Sequence, residues 1–500
     1  MKLKQYIPEN FSPTNFVLKH KKSNPWINKD ELIVILNSLN DVLGFKDYKK
    51  DLFKNGFAPL CSRRIQQLGI RNFPLYRNLL IQENVIESDN HWIDSEKCTG
   101  FRFSIHYQCK VKPIHIISKK LIKAQLRLSV KRTRVGRLKT DKPTSVEFDK
   151  HGFLKKWFDK LELDVKSASE LIELSYQEDI SNRVESPENK YNAACNSIHR
   201  FENGFFHFTT DEQGRFHSNL TNMKSELRNF LTYNGQKLVS LDLKNSQPYL
   251  SLTLLNPNFW DTNGCSRGLI NIHCLGKNYI QSININSSYS HYTTSLNLVN
   301  NLQPVVSQDI TMYRDDVLSG RLYQVVKQEL QDVVVKFGLE KIKSGNWDVN
   351  LLQQVLNDYK ALKTCVLTSF YSRNQTINSP QAFVKRAIRK RYPSVYNLFS
   401  LIKSKDHTTL PRLLQNIESE LLINRVARRI NRENRRVPIF TIHDSIVTVV
   451  DRENYIRQVL KEEMQKGIGY VGTVQSEYWI YQKSGIDQLR VKFQSQTGTG

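Results

Sequence analysis

The sequence predicts an α+β protein, because helical and strand-like patterns both recur along its 500 residues. The segment ELIVILNSLNDVLGF, residues 31 to 45, repeats apolar residues three and four apart, which is typical of an amphipathic helix. The segment VPIFTIHDSIVTVV, residues 437 to 450, contains two runs of β-branched and apolar residues, which are typical of strands. An apolar fraction of 39% with 24 Phe indicates a folded core rather than a disordered chain. The length allows about two to four domains, or one large enzyme with several lobes.

The charge balance indicates a polyanionic partner. The chain carries 73 Lys and Arg against 48 Asp and Glu, a net charge of +25, so nucleic acid or an anionic membrane surface are the candidates. Membrane insertion is not expected, since no apolar run approaches the length of a spanning helix. The first residues, MKLKQYIPENF, lack the apolar core of a secretion signal. Seven scattered Cys without a CxxC pair fit reduced thiols in a cytoplasmic protein, not a zinc site.

Residues 1–150 are predicted to form a basic N-terminal domain of unknown role. From Lys119 to Lys139 the chain holds nine Lys and Arg and no acidic residue, with Leu and Val between them. Such a run is either a solvated basic face or a track for a phosphate backbone. The candidate nucleic-acid-binding residues in this run are Lys131, Arg132 and Arg134.

The next segments alternate between helical and strand-like patterns. Residues 155 to 185 and 189 to 201 are predicted to be helical. The segment FFHFTTDEQGRFHS then predicts two strands around a polar turn, with Arg215 after Gly214. A turn at Asn234-Gly235 leads into the strand KLVSLDL, which ends near Asp242, and NSQPYLSLTLL predicts a loop entering a helix.

The second half is mostly helical by pattern. Residues 277 to 308 are rich in Asn, Ser and Tyr and predict a long loop or insertion. Helical patterning returns from Gly320 and again over residues 349 to 371. A strong amphipathic helix is predicted from Pro411 to Arg432, with Leu414, Ile417 and Leu421 near one stripe.

Two carboxylates occupy similar positions in this pattern. Only His443 and Asp444 interrupt the two apolar runs of residues 437 to 450, which predicts a tight hairpin, and Asp242 also lies at a strand end. Such a hairpin is either a plain polar turn or part of a site. If the strands are neighbours in one antiparallel sheet, the carboxylates converge and raise each other's pKa. A divalent cation, Mg²⁺ or Mn²⁺, relieves that repulsion and suits phosphodiester chemistry.

Between the two carboxylates lies a segment with a basic and an aromatic candidate. Lys363 and Tyr371 are eight residues apart, which places them about 80° apart around a helix. Lys363, with Lys360 nearby, could hold a triphosphate, and Tyr371 could stack on a base. The alternative is a solvated helix face with a core aromatic.

Together these segments resemble the palm-and-fingers core of family A DNA polymerases and of single-subunit phage-type RNA polymerases. The matching segments occur in the expected order over residues 205 to 450: DEQGRFHS, LVSLDLKNSQPYL, KTCVLTSFY and FTIHDSIVT. PRLLQNIESELLI also resembles the helix that precedes the last motif. About half of the chain is covered by the resemblance.

The resemblance implies a right-hand polymerase architecture with an antiparallel palm sheet, helical fingers and a helical thumb. The implied domains are a thumb-like region at 151–204, a palm at 205–260 and 395–500, and fingers at 261–394 with the polar insertion near 277–308. The implied site residues are Asp242 and Asp444 for two Mg²⁺ or Mn²⁺ ions, Lys363 and Lys360 for the triphosphate, Tyr371 for the nascent base pair, Arg215 and Gln415 for the duplex, and His443 near the primer end.

Several positions depart from the DNA polymerase pattern. Ser445 stands where those enzymes usually carry Glu, and Tyr359 stands where they carry Arg, although Lys360 lies beside it. Gln247 replaces a bulky Glu that blocks a ribose 2′-OH in family A. The Gln side chain either crowds a 2′-OH by its volume or hydrogen-bonds to it. VLTSFY is closer to the RNA polymerases.

The expected function is therefore template-directed nucleotidyl transfer on a primer-template with nucleoside triphosphates. DNA synthesis is favoured over RNA synthesis by the bulk of Gln247 and by the short region before the core. No proofreading is expected, since the N-terminal part lacks an exonuclease-type acidic cluster. The alternatives are a single-subunit RNA polymerase, a non-catalytic nucleic-acid-binding replication protein, and a nuclease that adds Glu418 or Glu477 to the two Asp.

Overall fold

The computed structural model describes residues 2–43, 56–91, 98–133, 151–260, 268–275, 308–343, 349–375 and 380–481. The protein divides into two compact units. The first unit comprises residues 1–209, 217–238 and 478–500, and the second comprises residues 210–216 and 239–477.

The strands are β1 (Leu3–Pro8), β2 (Ala58–Pro59), β3 (Ile86–Ser88), β4 (Gly100–Phe103), β5 (Val111–Ile116), β6 (Leu161–Leu163), β7 (Phe208–Thr210), β8 (Phe216–Ser218), β9 (Leu231–Tyr233), β10 (Gln236–Leu243), β11 (Phe440–Ile442), β12 (Ser445–Val449) and β13 (Val474–Trp479). The α-helices up to residue 260 are α1 (Pro13–His20), α2 (Lys29–Leu43), α3 (Ser62–Gln67), α4 (Phe73–Gln82), α5 (Lys119–Thr133), α6 (Gly152–Lys155), α7 (Val165–Ser181), α8 (Pro187–Glu202), α9 (Asn219–Asn222), α10 (Ser225–Arg228) and α11 (Ser246–Ser251). Those that follow are α12 (Gln308–Leu318), α13 (Leu322–Lys343), α14 (Val349–Asn357), α15 (Tyr359–Tyr371), α16 (Pro380–Arg391), α17 (Pro393–Ile402), α18 (Thr409–Ser419), α19 (Arg428–Glu433) and α20 (Glu453–Ile468), with a π-helical segment Glu420–Ala427 between α18 and α19.

The first unit is built on short antiparallel sheets covered by helices. β1 pairs with β5 along its whole length, and β4 pairs with both β2 and β3. The amphipathic helix α2 packs on β1 and buries Leu32, Leu36 and Leu39. Buried Asn40 and Asn196 bond to each other, which satisfies polar groups that would otherwise be costly to bury.

A second sheet of the first unit contains a turn that the sequence predicted. β9 pairs with β6 and, across the turn Asn234-Gly235, with the start of β10. Both turn residues have positive φ, 46° and 72°, which is the requirement of a tight two-residue hairpin and explains Asn followed by Gly. The prediction of this turn is confirmed.

The second unit combines antiparallel strands with a group of helices. β11 pairs with β12, and β10 pairs with both β12 and β13. α13 packs against α16, and α15 packs against both α14 and α16. The centre of these helices contains the fully buried aromatic residues Tyr313, Tyr323, Phe383 and Tyr392.

The predicted helix over residues 155 to 185 is wrong in its first part. Leu161–Leu163 is the strand β6, whose pairing with β9 outweighs the local helical pattern. The helix α7 starts only after Asp164, whose side chain accepts a hydrogen bond from the Ser167 backbone and caps the helix.

The helix predicted over residues 349 to 371 is interrupted. It divides into α14 and α15 at Asp358, whose side chain accepts a hydrogen bond from the backbone N–H of Lys360 at 2.8 Å. The helix predicted from Pro411 to Arg432 is confirmed, although its middle is π-helical.

Two predictions fall outside the described residues. The polar segment near 277–308 lies almost wholly in the undescribed range 276–307. The basic run is helical through Thr133, but Arg134 and the residues after it are not described. Within the part of the chain that is described, no helix is long and apolar enough to cross a membrane.

Candidate active site

The hairpin that carries Asp444 is a two-residue turn between β11 and β12. Ile442 pairs with Ser445, so His443 and Asp444 alone form the turn, and His443 takes the left-handed conformation at φ 49°. The Ser445 hydroxyl donates to the Ile442 carbonyl at 2.8 Å and closes the turn. Both strands are buried, whereas His443 is exposed and Asp444 is half-buried. The predicted tight hairpin is confirmed.

Asp242 lies next to this hairpin. It is the half-buried, second-to-last residue of β10, and the following residue, Leu243, donates its backbone N–H to the Asp444 carbonyl at 3.4 Å. Burial, together with the Asp444 carboxylate within hydrogen-bonding distance, raises the pKa of Asp242 to about 7. Lys363 opposes this pKa shift, and Glu477 adds to it. The structure therefore brings together the two carboxylates selected from the sequence.

The helix α15 brings Lys363 towards the carboxylates. Lys363 is half-buried and acts electrostatically on Asp242, and its ammonium lies 5.9 Å from the ring centre of Tyr323. Lys360, one turn earlier, is exposed, as is Tyr359. Lys363 and Asp242 are thus close enough to interact, and Lys360 faces solvent.

Tyr371, the last residue of α15, begins a chain of hydrogen bonds. Its hydroxyl donates to Gln247 Oε1 at 2.9 Å, and Gln247 Nε2 donates to Glu418 Oε2 at 3.0 Å. Arg215 donates to both Glu418 oxygens, with Nε and Nη2 each at 2.9 Å. Burial raises the pKa of Tyr371 well above its ordinary value, so the phenol remains a donor. Residues from α15, α11, α18 and the β7–β8 turn are linked in this way.

The backbone of Arg215 is held by a hydrogen-bonded turn, in addition to the ion pair that its side chain forms with Glu418. The Asp211 side chain accepts hydrogen bonds from the backbone N–H groups of Gln213 and Arg215 at 3.0 and 2.9 Å. Gly214 between them has φ 80°, a conformation that favours glycine. This turn explains the Asp-x-x-Gly-Arg pattern of the segment.

Glu418 is the residue whose role the sequence reasoning missed. It is 1% exposed, and burial raises its pKa to about 7, against the opposing effect of Arg215. The sequence carried a signal, because Glu418 lies beside Ile417 and four residues after Leu414, on the apolar stripe of an amphipathic helix. An acid at such a position requires a buried partner. The identity of that partner, 203 residues away, is not readable from the helix.

The remaining candidate residues lie on α18, β13 and α5. Gln415 is half-buried on α18, one turn before Glu418, and Glu477 is exposed on β13. Lys131 and Arg132 belong to α5 in the first unit, but their side chains lie outside what the structure describes, as does Arg134. Contacts of Arg215, Gln415, His443 and the basic run with nucleic acid remain predictions.

The donor set fits a hard divalent cation. The carboxylates of Asp242 and Asp444 are close enough to interact, and the pKa of Asp242 is raised by burial and by the Asp444 charge. A cation such as Mg²⁺ or Mn²⁺ would relieve the repulsion between the two carboxylates. Among the described residues, no group of three or more His, Cys, Asp and Glu is placed to hold a metal. Within the described ranges, the carboxylates close enough to share a cation at this position are thus Asp242 and Asp444.

Comparison with known proteins adds a structural likeness. No known family model matches the chain, and no curated protein matches it in sequence. A solved structure that is similar to part of the chain is titled "POL domain of Pol1 from M. smegmatis complex with DNA primer-template and dNTP". The likeness covers 72% of this chain and 73% of that chain, at 10% identity and a TM-score of 0.27. A TM-score this low carries no argument about fold or activity.

Proposed function

We propose that the chain is a template-directed nucleotidyltransferase that extends a nucleic-acid primer. One observation carries the proposal: Arg215, Asp242, Lys363, Tyr371 and Asp444, chosen from four separate motifs, belong to one unit, where they form two groups of interacting residues. Asp242 interacts electrostatically with Asp444 and Lys363, and Arg215 is joined to Tyr371 by hydrogen bonds through Glu418 and Gln247.

In this reaction the chain-end hydroxyl attacks the α-phosphate of a nucleoside triphosphate. A new oxygen–phosphorus bond forms, the bond between the α- and β-phosphates breaks, pyrophosphate leaves, and the hydroxyl proton passes to solvent. Asp242 and Asp444 would hold two Mg²⁺ or Mn²⁺ ions, which supply charge neutralisation and orientation of the phosphate oxygens when bound. Lys363, beside Asp242, balances the charge that develops on pyrophosphate. Tyr371 borders the space for the nascent base pair.

The setting of Gln247 supports deoxynucleotides as substrates. Its amide oxygen accepts from Tyr371 and its amide nitrogen donates to Glu418, so both ends of the amide are held. A side chain fixed at both ends crowds a ribose 2′-OH more effectively than one that is free to turn towards it. We therefore propose DNA synthesis, with RNA synthesis as the alternative. Ser445 favours neither DNA synthesis nor RNA synthesis, because its hydroxyl donates a hydrogen bond to the Ile442 carbonyl within the hairpin.

The environment of Glu418 argues against the form of the nuclease alternative in which Glu418 is the third carboxylate. A third metal-binding carboxylate needs free oxygens, whereas both oxygens of Glu418 accept hydrogen bonds from Arg215, and one also accepts from Gln247. The remaining alternative, a non-catalytic replication protein, predicts binding to a primed template without incorporation.

Primer extension tests the proposal. The full chain is given a defined primer-template with deoxy- or ribonucleoside triphosphates, each with Mg²⁺ or Mn²⁺. We expect incorporation of deoxynucleotides, and we expect Gln247→Ala to incorporate ribonucleotides at least about tenfold better relative to deoxynucleotides. Binding without incorporation under all conditions would overturn the proposal, and equal use of both sugars by the unaltered chain would overturn the choice of DNA synthesis. A mispaired primer end is expected to remain uncut.

A further inference from the structure

Two cysteines lie opposite each other at the end of a strand pair in the first unit. β2 pairs antiparallel with β4, with Pro59 opposite Gly100. Continued by two residues, the same register places Cys61 opposite Cys98, and the backbone of Cys61 is still extended, at φ −74° and ψ 124°. Side chains directly opposite each other in an antiparallel pair lie on the same face. The strand register therefore brings the two thiol groups together.

The spacing of the two cysteines suits a disulfide bond. Directly opposite residues of an antiparallel pair have Cα atoms about 4.5–5.5 Å apart, and disulfides join Cα atoms about 4.4–6.8 Å apart. The side chains of Cys61 and Cys98 lie within hydrogen-bonding distance of each other. Both are free thiols and both are partly exposed, so a small oxidant can reach them. A bond between the two sulfurs therefore needs no large movement of the backbone.

The two thiols differ in acidity. Burial acts to raise the pKa of Cys61, but the backbone N–H groups of Arg64 and Arg63 and the neighbouring Cys98 thiol outweigh it, so that the pKa of Cys61 is lowered. Burial and the Cys61 sulfur raise the pKa of Cys98. Because the thiolate is the nucleophile in disulfide exchange, Cys61 is the thiol that reacts first.

The strand pair beside the cysteines is short. β2 contains two residues, and one of them, Pro59, has no backbone N–H to donate. This pair nevertheless closes the segment between Cys61 and Cys98, which contains α3, α4 and β3 and contributes the buried Phe73 and Tyr76 to the core. A covalent bond at the end of the β2–β4 pair would hold both ends of this segment together and would reduce the entropy of the unfolded chain.

We propose that Cys61 and Cys98 form a reversible disulfide on exposure to a small-molecule disulfide, with Cys61 as the attacking thiol and Cys98 as the resolving thiol. Cys61 loses its proton to solvent, and its thiolate attacks one sulfur of the small disulfide. The sulfur–sulfur bond of the small molecule breaks, a mixed disulfide forms on Cys61, and one small thiolate leaves. Cys98 then loses its proton to solvent and attacks the Cys61 sulfur, which releases the second small thiolate. The two protein thiols are oxidised and the small disulfide is reduced, so the site goes beyond nucleotidyl transfer and its test does not require activity.

Oxidised glutathione is the probe that tests the site. The folded full chain is incubated with it, the remaining thiols are alkylated, and tryptic peptides are analysed by mass spectrometry without reduction. We expect the peptides of Cys61 and Cys98 to be joined in the unaltered chain and in the control Cys109→Ser, since Cys109 is a partly exposed thiol that donates to Asn10 instead. Cys98→Ser is expected to stop at a glutathione adduct on Cys61. Cys61→Ser is expected to react at least about tenfold more slowly than Cys98→Ser.

Two further measurements keep the result decisive. If a variant does not fold, limiting iodoacetamide on the unaltered chain gives the same assignment, because Cys61 is expected to be alkylated before Cys98. The bond is also expected to raise the unfolding temperature by about 3 °C or more, and dithiothreitol is expected to reverse this rise. Separate glutathione adducts on the two cysteines, or joined peptides that form only in urea, would overturn the proposal. An oxidised chain that unfolds at the same or a lower temperature would mean that the bond does not fit the folded strand pair and would also overturn it.

Discussion

The second unit holds two pairs of like charges, and the pairs differ in their surroundings. Asp242 and Asp444 lie at a strand end and a hairpin turn, where both are half-buried. Lys385 and Lys403 lie among helices, where both are almost fully buried. The acidic pair has the exposure that a substrate requires, whereas the basic pair is enclosed. Like charges therefore lie close together at an accessible strand end in one case and inside a group of helices in the other.

The largest effect is expected from neutralising the acidic pair. Asp444→Asn keeps the size of the side chain but removes one of two charges that would hold the cations. We expect primer extension to fall on the order of 10²- to 10³-fold or more, comparable with removing a group that stabilises the transition state. The unfolding temperature is expected not to fall, because the repulsion with Asp242 is also removed.

The control for this change is Asp451→Asn, which alters an exposed Asp shortly after the same hairpin. It is expected to leave both extension and stability unchanged. Full extension by Asp444→Asn would contradict the metal-binding role of the pair and, with it, the contrast with the lysines.

The next largest effect concerns Glu418, a buried charge that does have an opposite partner. Glu418→Ala leaves the partly buried guanidinium of Arg215 without the carboxylate that pairs with it. We expect a loss of about 3–5 kcal/mol in the free energy of unfolding. The control is Glu433→Ala, since Glu433 pairs with Arg429 near the surface and should cost less than about 1 kcal/mol. Chemical denaturation measures both.

A double variant distinguishes the loss of the Arg215–Glu418 ion pair from the loss of a single charge. Replacing Arg215 and Glu418 together by Met removes both charges and is expected to cost much less than Glu418→Ala alone. If the two variants were equally unstable, the interaction between the two charges would not explain the loss.

The comparison of the two charge pairs also shows which features of the site can be predicted from the sequence. The two apolar runs around His443 and Asp444 predicted the hairpin, because only two polar residues were available for its turn. Asp242 could be found by the same reasoning, from a carboxylate at a strand end. The spacing of Lys363 and Tyr371 on one helix was also readable, although the break at Asp358 was not recognised.

The other features of the site and of the fold depend on contacts between residues that are distant in sequence. Arg215 and Glu418 are 203 residues apart, and nothing local in either segment specifies the other. Lys403 follows an ordinary apolar helix and looks like a solvated residue until α15 and α16 are packed beside it. The strand β6 was mistaken for helix, because its pairing with β9 is visible only in the folded sheet.

A smaller effect is expected from titrating the basic pair. Burial and Lys385 lower the pKa of Lys403 to about 8, whereas an unfolded lysine titrates near 10.4. Between these values the unfolded state binds more protons, so the free energy of unfolding rises with pH. We expect the free energy of unfolding to rise on the order of 1–3 kcal/mol from pH 8 to 10.5, relative to Lys403→Met.

The measurement is chemical denaturation at the two pH values. An equal difference in the free energy of unfolding between the unaltered chain and Lys403→Met at pH 8 and at pH 10.5 would contradict the lowered pKa of Lys403.

The smallest effect on stability is expected at His443, where the hairpin meets solvent. Its left-handed backbone at φ 49° is unfavourable for most side chains but is tolerated by Asn. We therefore expect His443→Asn to change the free energy of unfolding by less than about 0.5 kcal/mol, while His443→Val, a β-branched residue, should cost about 1–2 kcal/mol. If the imidazole contacts the primer end, His443→Asn will raise the KM for primer-template at unchanged stability. An unchanged KM would assign His443 to the turn alone and leave Asp444 as the functional residue of the hairpin.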